Sequence, residues 1–361
     1  MLNKFGKAFK SKVKTRLRRD QTPPVDGLPQ GIDFDTLAGI CSSQFGESLL
    51  GTSFVHLSSW KQHGEYRLYL ETKSGRLLQL IYKEAILDDH YIPALSRLHF
   101  VPGPSECAIY RSGSSGLMQY LPRVYLCDEL IHNKHYRYVF EDLEPDYREP
   151  ASKDDFYLLA RQLRQIHISM REWLEYGGED ELIRYEGISL DSLQEFIKAS
   201  VMSYTAANDS EYARQVQLSW KRMARLLNRK DLFDFIPMRP IHGDFNITNI
   251  HIHKENREDI KLVDWEWAGI GIPHADLASL LKSAPPHVEE EALEIFIQHI
   301  KGWTMDEQKR LYWLCKLERG LLDAAFLSVQ QSGTTNQTRI NYSKHIENAL
   351  QSALRAFEHI G

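Results

Sequence analysis

Cysteine is scarce in this chain of 361 residues, and long hydrophobic runs are missing. The four cysteines are scattered without a C-x-x-C spacing, so the sequence indicates neither a zinc site nor a disulfide framework. Reduced, mostly buried thiols in a cytoplasmic protein are therefore expected. No apolar stretch approaches the roughly 20 residues that span a bilayer, and no secretory signal is recognised. The cysteines are Cys41, Cys107, Cys127 and Cys315.

An excess of positive charge is also missing. The 44 lysines and arginines are outnumbered by 49 aspartates and glutamates, which gives a formal net charge of −5. The overall charge therefore gives no indication of nucleic-acid binding. The composition, 42% hydrophobic and 26% charged, is ordinary for a globular protein, and the length suffices for about two domains or lobes.

The most informative stretch runs from Pro240 to Leu280. It contains the run His-Gly-Asp-Phe-Asn-Ile-Thr-Asn, from His242 to Asn249, and a later aspartate, Asp264. Apolar and polar residues then alternate, which predicts a short strand, and a polar turn precedes a second strand that ends before Asp264. The resulting hairpin would bring Asn249 and Asp264 towards each other, with Asp244 just before them.

These residue types suit phosphoryl transfer. That chemistry needs a carboxylate to receive the proton of the acceptor hydroxyl, and hard oxygen ligands to hold magnesium on the phosphates. Asp244 is the candidate for the first task, and Asn249 and Asp264 for the second. The alternative is a chance hairpin with solvated Asp and Asn turns.

The pattern H-G-D-x-x-x-x-N followed by a hydrophobic-D-W-E segment resembles the aminoglycoside phosphotransferase and choline kinase superfamily. The resemblance implies that Asp244 is the catalytic base, or orients the acceptor hydroxyl, and that Asn249 and Asp264 bind magnesium. His242 is grouped with the catalytic residues and is expected to brace the catalytic loop. Asp276 is expected to cap its helix or to tie that helix back to the loop.

The N-terminal half is predicted to contain three antiparallel strands, over 54–60, 66–72 and 76–83, which resemble the opening of a kinase small lobe. The resemblance implies that Lys83, at the end of the third strand, holds the ATP phosphates and that Glu106 positions it. The alternative is an exposed lysine at a strand end and a glutamate that stabilises a helix N-terminus.

Two further segments resemble parts of the nucleotide site. The turn after the first strand would cover the phosphates, although Gly64 is its only glycine. Glu141-Asp-Leu143 resembles the family's hinge, whose backbone groups hydrogen-bond the adenine edge. From Phe156 onward the periodicity is helical, with Ser152 as a plausible cap.

The fold is therefore predicted to be a two-lobed, kinase-like α+β fold. A tail and linker over 1–31 would precede a nucleotide-binding lobe over 32–140 and a catalytic, acceptor-binding lobe over 141–361. The first twenty residues are strongly basic, and helical spacing would align four apolar residues in a narrow stripe: Phe5, Phe9, Val13 and Leu17. A solvated tail, dispensable up to residue 28, is favoured over weak contact with a membrane surface or a transit peptide.

The resemblance implies an enzyme that uses ATP and Mg²⁺ to phosphorylate a hydroxyl group of a small molecule. The alternatives are a nucleotide-binding pseudokinase, a membrane-associated scaffold and a protein kinase, the last disfavoured because no A-P-E segment is present. Acidic residues crowd the hinge and the following helix. They would attract a cationic acceptor, and a solvated acidic face is an alternative that the sequence favours at least equally. They are Glu141, Asp142, Glu144, Asp146, Glu149, Asp154 and Asp155.

Overall fold

The computed structural model describes residues 25–60, 63–86, 104–111, 115–131, 135–175, 183–184, 190–227, 238–298, 303–331 and 336–360. These residues divide into two compact units. The first unit is drawn from 1–91 and 122–146, and the second from 92–121 and 147–361. The basic tail, and the lysine at position 61 in the predicted phosphate-covering turn, lie outside the described residues.

The first unit is built on a six-stranded antiparallel sheet with the order β1-β2-β3-β4-β6-β5. Apolar residues alternate along its strands and bury one face against helix α1, Phe34–Phe45. Asp33 caps this helix by accepting a hydrogen bond from the Thr36 amide, and Gly46 ends it in the left-handed conformation. The strands are β1 Val25–Asp26, β2 Leu49–Trp60, β3 His63–Thr72, β4 Leu77–Ile86, β5 Val124–Ile131 and β6 His135–Glu141.

Strand β4 is longer than predicted, and this changes the setting of Lys83. The strand continues to Ile86, and Lys83 lies opposite Glu65 on one side and Tyr138 on the other. Only 6% of Lys83 is exposed. The alternative of an exposed lysine at a strand end is therefore wrong.

The predicted linker is in part a strand. Val25 and Asp26 pair with β2, and the Gly27 amide donates a hydrogen bond to the Thr52 carbonyl at 2.9 Å. Leu28 packs against the apolar core of the first unit. This segment joins the sheet through backbone pairing. The sequence does not predict it, because the segment has no alternation of apolar and polar residues.

Two N-terminal truncations should therefore behave differently. Removing residues 1–24 is expected to leave the unfolding midpoint unchanged. Removing residues 1–28 also deletes β1, two hydrogen bonds between Gly27 and Thr52, and the packing of Leu28. At about 1 kcal/mol per hydrogen bond plus the apolar burial, it should cost about 2–4 kcal/mol. Equal denaturant midpoints for the two truncations would contradict a structural role for β1.

The boundary between the units also differs from the predicted division at residue 140. The first unit continues to Asp146 because the segment after β6 is fixed to the sheet by Arg67. The Arg67 guanidinium pairs with the carboxylates of Asp142 and Glu144. The helix Pro104–Arg111, predicted to lie in the N-terminal lobe, belongs to the second unit instead, where the Ser105 hydroxyl donates to the Trp265 and Glu266 carbonyls.

The second unit is mainly helical. Its helices follow the predicted apolar periodicity, and Ser152 caps the long helix α4 through a reciprocal capping box with Asp155. The helices are α2 Pro104–Arg111, α3 Ser115–Met118, α4 Lys153–Trp173, α5 Leu190–Ala207, α6 Glu211–Leu227, α7 Pro273–Leu281, α8 Pro286–Ile297, α9 Met305–Gln331 and α10 Asn336–Ile360. Among these and α1, no helix is long and apolar enough to cross a membrane.

Two small sheets complete the second unit. One has the order β11-β10-β7 and the other β8-β12-β9. A single turn of 3₁₀ helix, Trp265–Trp267, lies between β11 and β12. The strands are β7 Tyr147–Arg148, β8 Ile183–Arg184, β9 Arg239–Ile241, β10 Ile250–His253, β11 Ile260–Leu262 and β12 Gly269–Gly271.

Candidate active site

The predicted hairpin is present in the second unit. Strands β10 and β11 pair antiparallel, with Ile250 opposite Leu262 and Ile252 opposite Ile260. Their apolar side chains point into the core, where all four are at most 1% exposed. Beyond the last pair, the Val263 amide donates to the Asn249 carbonyl at 3.0 Å. The hairpin therefore brings Asn249 and the residue before Asp264 together at one end.

The loop before the hairpin carries Asp244, and both oxygens of its carboxylate have partners. Oδ2 accepts a hydrogen bond from Asn249 Nδ2 at 3.0 Å, and Oδ1 accepts one from Arg319 Nη2 at 2.6 Å. Burial acts to raise the pKa of Asp244, but the positive charges of Arg319 and Lys282 outweigh it, so this pKa is lowered. The carboxylate is therefore ionised and held in a defined plane.

Asp276 fastens this loop to helix α7. Its carboxylate accepts hydrogen bonds from the backbone amides of His242 at 2.8 Å and Gly243 at 2.9 Å, and it contacts His167 Nε2 at 2.9 Å. Asp276 is fully buried. The expected tie between helix and loop is confirmed, whereas the alternative of a capping role is wrong, because α7 begins after Ile272 with no side-chain cap.

His242 lies inside the loop and is fully buried. Its Nε2 contacts the Val263 carbonyl at 3.2 Å, and its Nδ1 accepts a hydrogen bond from the Asp244 amide at 3.4 Å. Its ring packs 4.4 Å from that of Trp265. Burial lowers the pKa of His242 despite the nearby carboxylates, which favours a neutral ring that donates from Nε2. This geometry supports a bracing role, because Nδ1 holds the loop at Asp244 and Nε2 ties the loop to the segment after β11.

The two predicted magnesium ligands fit a divalent cation. Asn249 Nδ2 donates to both the carbonyl and the carboxylate of Asp244. The amide oxygen accepts a hydrogen bond from the Thr248 hydroxyl at 3.3 Å and has a second lone pair for coordination. Asp264 adopts φ 67° and ψ 59°, and among the described residues it is the one non-glycine residue with a positive φ. Aspartate tolerates this left-handed conformation, which occurs often at functional sites.

No cluster of three or more His, Cys, Asp or Glu residues that could hold a metal occurs in the described part of the chain. Magnesium does not require such a cluster, because it commonly binds one or two protein oxygens together with substrate phosphates and water. Asn249 and Asp264 would hold it here. When bound, magnesium would neutralise phosphate charge.

The predicted nucleotide-binding residues are divided between the units. Lys83 belongs to the first unit and Glu106 to the second, where it is 2% exposed and 3.4 Å from the Tyr110 hydroxyl. Their pairing therefore stays a prediction. Glu141 ends strand β6, and its side chain accepts a hydrogen bond from the Arg123 amide at 2.7 Å, while Leu143 is buried. A role in adenine binding would thus fall to backbone groups of this segment.

Sequence reasoning missed Arg319. It lies on helix α9, 75 residues beyond Asp244, and it follows no motif of the catalytic region. The one local signal is the spacing of Arg319 and Asp323, four residues apart, which predicts a surface ion pair on a helix. That pair is present at 2.9 Å, but the guanidinium also donates to the Gly243 carbonyl in the loop that carries Asp244.

Several of the acidic residues near the hinge already pair with arginines and so have less negative charge to attract a cation. Asp155 is fully buried and pairs with Arg148 and Arg257. Asp142 and Glu144 are engaged by Arg67. Three of the seven carboxylates thus have arginine partners within their own units, which removes part of the basis for a cationic acceptor.

Comparisons with known proteins identify the family. Residues 105–311 match the model of the phosphotransferase enzyme family, and because the match covers more than half of the chain, the chain belongs to that family. Spectinomycin phosphotransferase in complex with ADP and spectinomycin is similar with a TM-score of 0.55 and 16% identity, covering 91% of this chain and 99% of that chain. Choline kinase LicA from Streptococcus pneumoniae gives a TM-score of 0.52 and 16% identity, covering 88% and 98%.

These likenesses confirm the predicted fold class, the two-lobed fold of aminoglycoside phosphotransferases and choline kinases. A curated relative, acyl-CoA dehydrogenase family member 11 of Pongo abelii, is 28% identical over 141 residues. That match covers 39% of this chain but only 16% of the relative. The chain therefore spans less than a fifth of the length of this relative.

Proposed function

We propose that this protein is a small-molecule kinase, which transfers the γ-phosphoryl group of ATP to a hydroxyl group. The observation that carries the proposal is the arrangement of Asp244, Asn249 and the β10–β11 hairpin within one compact unit. The family assignment supports transfer of a phosphoryl group. The complex of spectinomycin phosphotransferase with ADP supports a nucleotide as donor.

The Asp244 carboxylate orients the acceptor hydroxyl and receives its proton as the acceptor oxygen bonds to the γ-phosphorus. The bond between that phosphorus and the bridging oxygen of ADP breaks, and ADP leaves with the electron pair. Asp276, His242 and Asn249 hold the loop, so that the carboxylate is oriented before the acceptor arrives. Because none of the four cysteines forms a disulfide, the proposed location is the cytoplasm, where thiols stay reduced.

An ADP-release screen of the full chain with MgATP tests the proposal. The acceptor panel should contain amino alcohols, aminoglycosides, neutral sugars and hydroxy acids, so that cationic, neutral and anionic hydroxyl compounds are all represented. We expect ADP release that depends on one class of acceptor. Mass spectrometry should then show a product about 80 Da heavier than that acceptor, which corresponds to one added phosphoryl group. Normal MgATP binding without transfer to any acceptor would favour the pseudokinase instead.

Replacing Lys83 by methionine, which preserves much of its buried volume, should weaken ATP binding by about 10- to 100-fold and lower turnover. The estimate follows from losing one charge-assisted contact of about 1.5–3 kcal/mol with the phosphates. Isothermal titration with MgATP measures the loss. Lys309→Met is the matched control, because Lys309 is 39% exposed and pairs only at the surface with Glu294. Unchanged ATP affinity in a folded Lys83 variant would exclude the phosphate assignment.

A further inference from the structure

Arg319 bridges helix α9 and the catalytic loop with three hydrogen bonds. Nη1 donates to the Gly243 carbonyl at 2.9 Å, Nη2 to Asp244 Oδ1 at 2.6 Å, and Nε to Asp323 Oδ1 at 2.9 Å. The first two acceptors are consecutive residues of the loop. The guanidinium therefore fixes the backbone and the side chain of the loop together.

This contact does what the other restraints on the loop do not. Asp276 holds the amides of His242 and Gly243, the His242 ring holds the Asp244 amide, and Asn249 holds Asp244 Oδ2. None of these three residues holds Oδ1. Arg319 fixes this second oxygen, so the carboxylate is gripped from two sides and its rotation about the side-chain bonds is restricted.

Helix α9 gives Arg319 a rigid base. A Cβ atom added to Gly320 would lie 2.9 Å from the Ala349 carbonyl oxygen, so α9 and α10 pack closely next to Arg319. Asp323, one turn further along α9, accepts the hydrogen bond from Arg319 Nε. Its carboxylate also contacts Lys282 Nζ at 3.4 Å. A planar guanidinium can serve three acceptors in fixed directions, whereas a lysine ammonium cannot reproduce this fork.

We propose that Arg319 is a positioning residue for phosphoryl transfer, acting through Asp244 to hold its carboxylate in the orientation that receives the acceptor hydroxyl. The inference rests on the proposed function. It assigns a role to a helix outside the sequence motifs, and it explains why both oxygens of Asp244 are engaged before any substrate binds.

Arg319→Met and Arg319→Lys test this role. Misplacing a catalytic group typically costs 10- to 100-fold, so the methionine variant should lose about that factor in kcat. Its KM for MgATP should change by less than about threefold, because Arg319 holds Gly243 and Asp244 of the loop, and neither is a predicted nucleotide ligand. Lysine should restore part of kcat, since it keeps the charge but not the fork. Arg214→Met is the matched control: Arg214 makes a similar double ion pair with Asp209 and Glu211 on the exposed surface of α6.

A double variant separates positioning from general stability. If Arg319 acts through Asp244, then Arg319→Met should cause little further loss of kcat in an Asp244→Asn background, because the group that it positions is already inactive. A full additional loss in that background would overturn the proposal. So would unchanged kcat in Arg319→Met.

Hydrogen exchange provides a readout that needs no acceptor. Amides in the peptide covering 242–249 should exchange at least about tenfold faster in Arg319→Met than in the wild-type chain, because both hydrogen bonds from Arg319 to the loop are lost. Peptides from α6 should be unaffected. Unchanged exchange in the loop would overturn the positioning role, even if the wild-type chain phosphorylates an acceptor. Faster exchange without phosphorylation of any acceptor would leave positioning intact and count against the proposed function.

Discussion

Asp244→Asn is expected to lower turnover by about 10²- to 10⁴-fold while MgATP binding persists, since this is the usual contribution of a general base. The substitution preserves the shape of the side chain but removes the oxygen that would receive the proton. MgATP affinity should persist because the predicted magnesium ligands, Asn249 and Asp264, are unchanged. Titration calorimetry with MgATP and ADP release with the best acceptor measure the two quantities.

The surroundings of Asp244 predict a second effect of the same change. One carboxylate oxygen faces Arg319 Nη2 and the other faces Asn249 Nδ2, and both of these groups are donors. An asparagine must therefore direct its NH₂ group at a donor in either orientation. We expect a loss of stability of about 1–3 kcal/mol, so the variant should be assayed well below its unfolding temperature.

Asp264→Asn provides the contrast for this experiment. It replaces a charged carboxylate ligand by a neutral amide, so it should weaken magnesium-dependent nucleotide binding as well as turnover. Asp209→Asn is the control for carboxylate removal as such, because Asp209 has a side chain that is 94% exposed. Full turnover in a folded Asp244→Asn variant would exclude Asp244 as the base.

The hairpin and the loop before it could be predicted because their signals are local. Residues 250–253 and 260–262 alternate apolar and polar side chains, and six turn residues lie between 253 and 260. Antiparallel pairing of such neighbouring strands follows from the chain alone. The positions of Asn249 and Asp264 at one end of the hairpin are then a matter of counting residues.

Arg319 and strand β1 could not be predicted in this way, because both depend on distant parts of the chain. Arg319 meets Asp244 only after α9 has packed beside the loop. Val25 and Asp26 are exposed and pair with β2 through backbone groups, which any residue type except proline can provide. Their side chains therefore leave no hydrophobic pattern to detect.

The boundary between the units lies beyond the predicted division at residue 140 for a related reason. Arg67 in β3 is 75 residues from Asp142 in sequence, yet its bond to that carboxylate fixes the segment after β6 to the first unit. The order of elements along the chain, with the Glu106 helix before β5 and β6, predicts that this helix belongs to the first unit. Its contacts instead run to the turn after Asp264, through Ser105. Order along the chain predicts neighbours well for hairpins and poorly for such crossings.

Asp276→Ala is expected to have the largest effect on stability of any single change considered. The carboxylate is fully buried and receives two backbone amides and the His167 ring. Alanine would leave these groups unpaired in the interior, and removing one partner of a buried charged cluster typically costs about 3–5 kcal/mol. Since a domain is stable by only about 5–15 kcal/mol, the second unit should unfold at a much lower denaturant concentration.

Tryptophan fluorescence can follow this transition, because Trp265 packs against His242 in the affected loop. The control is Asp209→Ala, which removes an exposed carboxylate and should leave the unfolding midpoint unchanged. Below the unfolding midpoint, the remaining folded Asp276→Ala should show reduced kcat, because the amides that Asp276 holds belong to the residues directly preceding Asp244. A variant that retained both wild-type stability and wild-type kcat would show that Asn249 and Arg319 suffice to hold the loop, and that Asp276 does not fasten it.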